Sequence, residues 1–257
     1  MGPRRGGTGG GVGVVVPADW WLLPLGDDAG THRAVAAMVE HRYGRGDELA
    51  GLRRQVRVQV LASARRAVAS GGRLMGFMLT RVGELPLPAT MTAYRLPGSM
   101  ATPDDVAALR AGLAEHADLT GGRVDAGEGP FGPVLRGVRE RAPAAHTPAA
   151  HAPADYAPAG AGPAGAERAG GHVLLCDYWT DPQDGEGLVN LSFSTPLVAL
   201  RDGWVELFDA IAGTLHRLHD DAAAEDQPDE GGDGDADEGT YAVTVAVTAA
   251  DEEREPA

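Results

Sequence analysis

The chain has 257 residues, enough for one large domain or two small ones, and combines an ordinary apolar fraction with heavy use of Ala, Gly and Pro. All 22 basic residues are arginine, and the net charge of −15 lies almost wholly at the C-terminus, where residues 220–257 hold 14 acids against Arg254 alone. The rest is close to neutral and has no basic footprint for nucleic acid, its single cysteine excludes an intrachain disulfide framework, and no apolar run approaches the ~18–20 residues of a membrane span.

Residues 1–13 are mostly glycine and read as a disordered tail. The Gly6–Gly13 cluster does not make a phosphate loop: no strand precedes it, the chain has no lysine, and the spacing is not G-x-G-x-x-G. The apolar run Val14–Val16 is too short for a signal-peptide core, so a cytoplasmic location is expected. A single α+β domain is expected over residues 14–219.

Trp20 to Leu25 predicts a short strand. Asp27-Asp28 and Thr31 offer helix starts, Val35, Met38 and Val39 make a helical face, and Gly44 and Gly46 end it. Asp47 is the expected N-cap of a longer helix with Leu49, Leu52, Val56, Val60, Ala64 and Val68 on one side. Arg53, Arg54, Arg57 and Arg65 take its other side as a solvated surface, and Gly71-Gly72 cap its end. Leu74–Val82 alternates as a strand, turning through Gly83–Pro88 into a partner with Thr90, Thr92, Tyr94 and Leu96. Thr102-Pro103-Asp104-Asp105 starts another helix, with Val106, Leu109 and Leu113 inward and Gly121-Gly122 at its end. Two strands around Val124 and Val134–Val138 follow, joined by a Gly-Pro-Phe-Gly-Pro turn.

Residues 142–170 are so rich in Ala, Pro and Gly that a disordered linker is expected inside the domain. The stretch His172–Leu218 organises the rest. Val173–Trp179 is a strand, Asp181–Gly187 a turn, and a second strand alternates Val189, Leu191 and Phe193 with Asn190, Ser192 and Ser194. The period then changes to 3.6. Trp204, Leu207, Phe208, Ile211, Leu215 and Leu218 make one helical stripe, with Arg201, Glu206, Asp209 and Arg217 facing away. Residues 220–257 form an acidic tail in which Thr240–Thr248 alternates as an edge strand flanked by charge.

Short turns between strands give a mostly antiparallel central sheet flanked by helices. With Phe193-Ser194-Thr195-Pro196 and Phe208-Asp209-Ala210-Ile211-Ala212 closing it, this order resembles the PsbP-like α/β/α sandwich. Trp20-Trp21-Leu22-Leu23-Pro24-Leu25 with its arginine-rich helix is similar to uncharacterised actinobacterial proteins. The PsbP-like resemblance implies an accessory or chaperone-like binding module rather than a reaction.

The residues themselves point the same way. There is no Gly-x-Ser-x-Gly, no His-Glu-x-x-His and no Cys-x-x-Cys, so no catalytic residue and no cofactor is expected. His216 and His219, one helical turn apart and followed by Asp220-Asp221, are the metal candidates, although no third ligand is identified. The plainer reading is two histidines at a helix C-terminus. Asp233-x-Asp235-x-Asp237 opens like a calcium loop, but Glu238 replaces the turning glycine and Thr244 the closing glutamate. Cys176 and Asp177 point to opposite faces of their strand, and His172 stands ~13 Å from Cys176, so these make no nucleophile site. A protein partner or self-association is expected on the folded body, with no membrane and no nucleic acid. The alternative is a small-ligand site or an enzyme pocket.

Overall fold

The computed structural model describes residues 11–78, 80–82, 85–141, 172–218 and 243–247. β1 (Val12–Val16) and β2 (Trp20–Pro24) lead into α1 (Asp28–Tyr43) and, past a 3-10 turn at Asp47–Leu49, α2 (Ala50–Ala69). Next come β3 (Gly72–Met78), the short strands β4 (Arg81–Val82) and β5 (Leu85–Pro86), β6 (Ala89–Leu96) and α3 (Pro103–Thr120). The hairpin β7 (Arg123–Gly129) and β8 (Gly132–Arg141) is followed by β9 (Val173–Thr180) and β10 (Leu188–Thr195). α4 (Arg201–Ala212), β11 (His216–Arg217) and β12 (Val243–Val247) close the described chain.

Seven strands pair antiparallel in the order β2-β3-β6-β10-β9-β8-β7, with helices on both faces, so the α+β class expected from the strand–turn–strand pattern is the one the chain adopts. Register assigns every side chain to a face. The rear face carries Trp20, Met78, Leu74, Met91, Ala93, Leu191, Phe193, Cys176, Tyr178 and Val138, and α4 seals it with Trp204, Phe208 and Ile211. Phe193 stacks on Phe208 at 4.5 Å, and each such fully buried side chain contributes about 1.5–3 kcal/mol. The three buried valines of β1 complete this layer in a small sheet ordered β11-β1-β12. On the front face α1 and α2 cover Leu23, Met75 and Phe77 at one edge, and α3 covers Leu135 and Leu188 toward the other.

Local chemistry sets several ends as expected. Asp27 accepts from the Gly30 N–H at 2.6 Å to start α1, and Thr102 and Asp105 form a reciprocal capping box on α3. Gly121 leaves α3 at φ +70°, a conformation costly for any residue with a Cβ. The β9–β10 turn is tied down by ions: Arg95, almost fully buried, holds Asp184 at 2.6 Å, while Asp181 accepts from the Met100 N–H at 2.8 Å.

Other expectations are corrected. β1 begins at Val12, inside the segment read as a tail, because Val12 and Gly13 pair with β12 and β11; residues 1–10 lie outside the described chain. Asp47 is not an N-cap: it opens the 3-10 turn, and Leu49 precedes α2 without a side-chain cap. Leu49 and Val68 are exposed, and Ala67 takes the inward place instead, since the stripe drifts around a straight helix. The Leu74–Val82 strand stops at Met78, with Arg81–Val82 a separate strand. α4 ends at Ala212 rather than Leu218. The Thr214 hydroxyl bonds the Ile211 carbonyl at 2.6 Å and accepts from the Val15 N–H at 2.9 Å, so the chain leaves the helix to pair with β1. Asp209 does not face away: it takes Arg136 at 2.5 Å and the Tyr178 hydroxyl at 2.8 Å. The expected linker 142–170 and the segment 220–239 lie outside the described residues, whereas the alternating stretch 240–248 contains β12.

Candidate functional site

The strand residues alternate as the sequence says, but both of their faces are covered. Across β6, β10 and β9 the middle of the rear row is apolar, while the front row runs Thr90, Thr92 and Tyr94 beside Ser194, Ser192 and Asn190, then Asp177 and Trp179. Five of these polar residues are as dry as core: Thr92 is 2% exposed, Thr90 and Asp177 5%, Asn190 6% and Ser194 8%. Buried polar groups need partners. Thr90 and Ser194 share a hydrogen bond at 2.7 Å, Asn190 donates to the Tyr178 carbonyl at 3.1 Å, and Arg139 from β8 reaches the Asp177 carboxylate at 2.7 Å.

Where this row meets α3 it opens into a cleft of about 300 Å³. Its walls are apolar, from Leu96, Leu113, Val124 and Trp179, and its polar groups are Asp177, Arg139, Asn190, His116 and Arg123, the last held by Asp125 at 2.7 Å. Two glycines give it shape. A Cβ at Gly137 would stand 3.2–3.3 Å from the Trp179 ring, so the bare backbone lets the indole lie down against the sheet. A Cβ at Gly122 would come within 3.0 Å of the Arg139 Cβ, so the turn after α3 closes tightly over β8. Burial pushes the Tyr94 hydroxyl above its ordinary value; the Thr92 hydrogen bond opposes this and the Asp177 charge adds to it.

The residues singled out from sequence do not meet here. His216 lies on β11, and its ring Nδ1 is 3.0 Å from the Thr214 carbonyl. The helix that was to set it one turn from His219 ends at Ala212, and His219 is outside the described residues. Among the described residues no group of three or more His, Cys, Asp or Glu could hold a metal. Of the calcium-like loop, residues 233–238 are outside the described chain, and Thr244 is a strand residue opposite Val15. Cys176 is fully buried on the rear face, away from Asp177, with its thiol pushed up to about 12 chiefly by burial.

On β6 and β10 the front-row residues Thr90, Thr92, Tyr94, Asn190, Ser192 and Ser194 were visible in the sequence as the polar half of an alternation. The signal that could have marked them is their size: Thr, Ser and Asn rather than Lys or Glu, which suits a covered surface better than a wet one.

No family model, curated protein or solved structure matches the chain. Among the described residues no helix is long and apolar enough to cross a membrane.

Proposed function

We propose that the protein is a non-catalytic binding module and that its binding site is the front cleft between α3 and the sheet. The observation that carries this reading is the pairing of an apolar wall at Trp179, Leu96 and Leu113 with buried polar groups at Asp177, Arg139 and Asn190 in one concavity of about 300 Å³. That volume is at the lower end for ligand pockets, and few polar groups among apolar walls is their usual make-up. The Asp177 charge is matched by Arg139 and that of Arg123 by Asp125, so the cleft suits an uncharged ring with a hydrogen-bonding edge better than a free ion. A binding role rather than catalysis is supported by where the reactive groups lie: the Cys176 thiol is protonated, buried and on the opposite face.

Ligand-observed NMR on the full chain tests this with benzamide, benzoate and benzylamine as probes. Benzamide should bind saturably, the two charged probes more weakly, and Leu113→Trp should abolish binding by filling the cleft while leaving the fold intact. Benzamide binding that is absent, or unchanged by Leu113→Trp, overturns the reading.

A protein partner or self-association is the second reading. The exposed apolar residues Val58 and Val68 of α2 and Leu49 of the turn before it do not share a face and make no patch for it.

A further inference from the structure

Three residues of the front cleft keep hydrogen-bonding groups that nothing in the described chain answers. Asn190 is buried, and its Nδ2 donates to the Tyr178 carbonyl at 3.1 Å. A carbonyl only accepts, so the amide cannot turn over without setting two oxygens against each other. Asn190 Oδ1 is thus fixed as an acceptor. It has no partner among the described residues, and it is not sealed from solvent. Asp177 is similar. Its Oδ2 is 2.7 Å from Arg139 Nη1, while Oδ1 has no hydrogen bond among the described residues and stays accessible. Both residues line the cleft and are buried elsewhere, so the two open oxygens face it. Asn190 stands opposite Trp179 and Asp177 opposite Ser192, which makes the two acceptors diagonal neighbours on one face, about 7–8 Å apart at the backbone and within reach of one small group. Arg139 adds donors, because its other N–H groups have no acceptor among the described residues and stay accessible.

Taking this cleft as the binding site proposed above, we infer that its ligand is a planar, uncharged nitrogen heterocycle carrying an amino group beside a ring nitrogen, of the aminopyrimidine kind. The amino N–H groups answer Asp177 Oδ1 and Asn190 Oδ1, and the ring nitrogen accepts from Arg139. A ring without the amino group leaves both acceptors against an apolar surface and takes away the water they would otherwise bond. An amino cation is disfavoured, because Arg139 already matches the Asp177 charge. The flat wall is Trp179, whose indole lies down on the sheet over Gly137 and offers a face for stacking. The other two polar groups do not compete for the ligand: Arg123 holds Asp125 at 2.7 Å, and His116 has an interaction of its own. Asp177 and Asn190 are accordingly the residues that select the ligand, and Arg139 sets which way round the ring enters.

The test compares 2-aminopyrimidine with 2-methylpyrimidine, two rings of closely similar size that differ in the donor, by ligand-observed NMR on the full chain. The amino probe should bind about tenfold more tightly, the effect of one hydrogen bond to a charged oxygen. Leu113→Trp should remove both probes, which places them in the cleft. Asp177→Asn then reads the donor itself. A guanidinium only donates, so the new amide keeps its oxygen on Arg139 and turns its N–H2 group into the cleft, where Asp177 offered an acceptor. That variant should lose the preference for the amino probe while still binding the methyl probe, a change of selectivity that mere loosening of the fold does not produce. Equal affinity of the two probes for the unaltered chain, with both lost in Leu113→Trp, overturns the inference and leaves the cleft reading standing. A preference that survives Asp177→Asn also overturns it. No binding of either probe, or binding untouched by Leu113→Trp, overturns the cleft reading and this inference together.

Discussion

Arg139 lies 2.7 Å from the Asp177 carboxylate, a contact made diagonally across the β8–β9 ladder, where Asp177 stands opposite Gly137 and Arg139 opposite Leu175. The Asp177 side chain is 7% exposed and the Arg139 side chain 27%, so the pair is largely withdrawn from water. Removing one partner of a buried pair strands the other charge, at a cost of about 3–5 kcal/mol, against at most ~1 kcal/mol for an exposed pair. Arg139→Ala should therefore lower unfolding stability in urea by about 3 kcal/mol. Adding Asp177→Asn should recover part of that loss, since no charge is left unpaired. A loss under about 0.5 kcal/mol for Arg139→Ala would place the pair in solvent.

Phe208 is fully buried and sits between Phe193, stacked at 4.5 Å, and Trp204, stacked at 5.5 Å. Phe208→Ala should cost about 3–5 kcal/mol, a large share of the ~5–15 kcal/mol that holds a typical domain together. Thermal denaturation checks it, and an unchanged melting temperature would put that face of α4 on the surface.

Alkali should unfold the protein through two groups on the rear face. Cys176 is pushed up from 9.0 to about 12, first by burial and then by the charges of Asp177 and Asp209. Tyr178 is raised above its ordinary 10.0 by burial and by its hydrogen bond to Asp209. In both cases the native state keeps a proton that the unfolded chain releases. Their contribution is complete below about pH 9 and is lost as pH rises toward 12, at up to about 1.4 kcal/mol per pH unit for each group. Urea titrations between pH 8 and 11 should show the slope, and Cys176→Ala should flatten it. A thiol reagent should label the native chain only on the timescale of unfolding.

The N-terminal boundary can be tested by trimming. A chain starting at Gly11 keeps all of β1, whereas one starting at Val14 loses the Val12 and Gly13 pairings and a valine with no exposed surface. The longer chain should match full-length stability. The shorter one should lose at least about 1.5–3 kcal/mol, the value of one buried aliphatic side chain.

Most elements were legible because their causes are local. The Thr102-Pro103-Asp104-Asp105 start of α3, the Gly121 stop, the Pro130-Phe131 hairpin turn and the 3.6-residue stripe from Trp204 to Ile211 each depend on neighbours within a turn or two. For the same reason the alternation of β10 was correct residue by residue, and with it the opposite facing of Cys176 and Asp177.

Tertiary structure alone decided what depends on distant partners. Helical periodicity continues past Ala212 in the sequence, yet α4 stops there because Thr214 bonds Val15, a residue 199 positions away. The glycine-rich start looked structureless because Val12 has no local partner; its partners are Arg217 and Val247. Nothing local says whether the front row of Thr90, Thr92, Asn190 and Asp177 is wet or covered, since alternation records only that two faces differ. Which helices lie over a face, and so whether its polar groups are wet or buried, is set by how α1, α2 and α3 pack on the finished sheet. That packing makes the cleft, and no local pattern carries it.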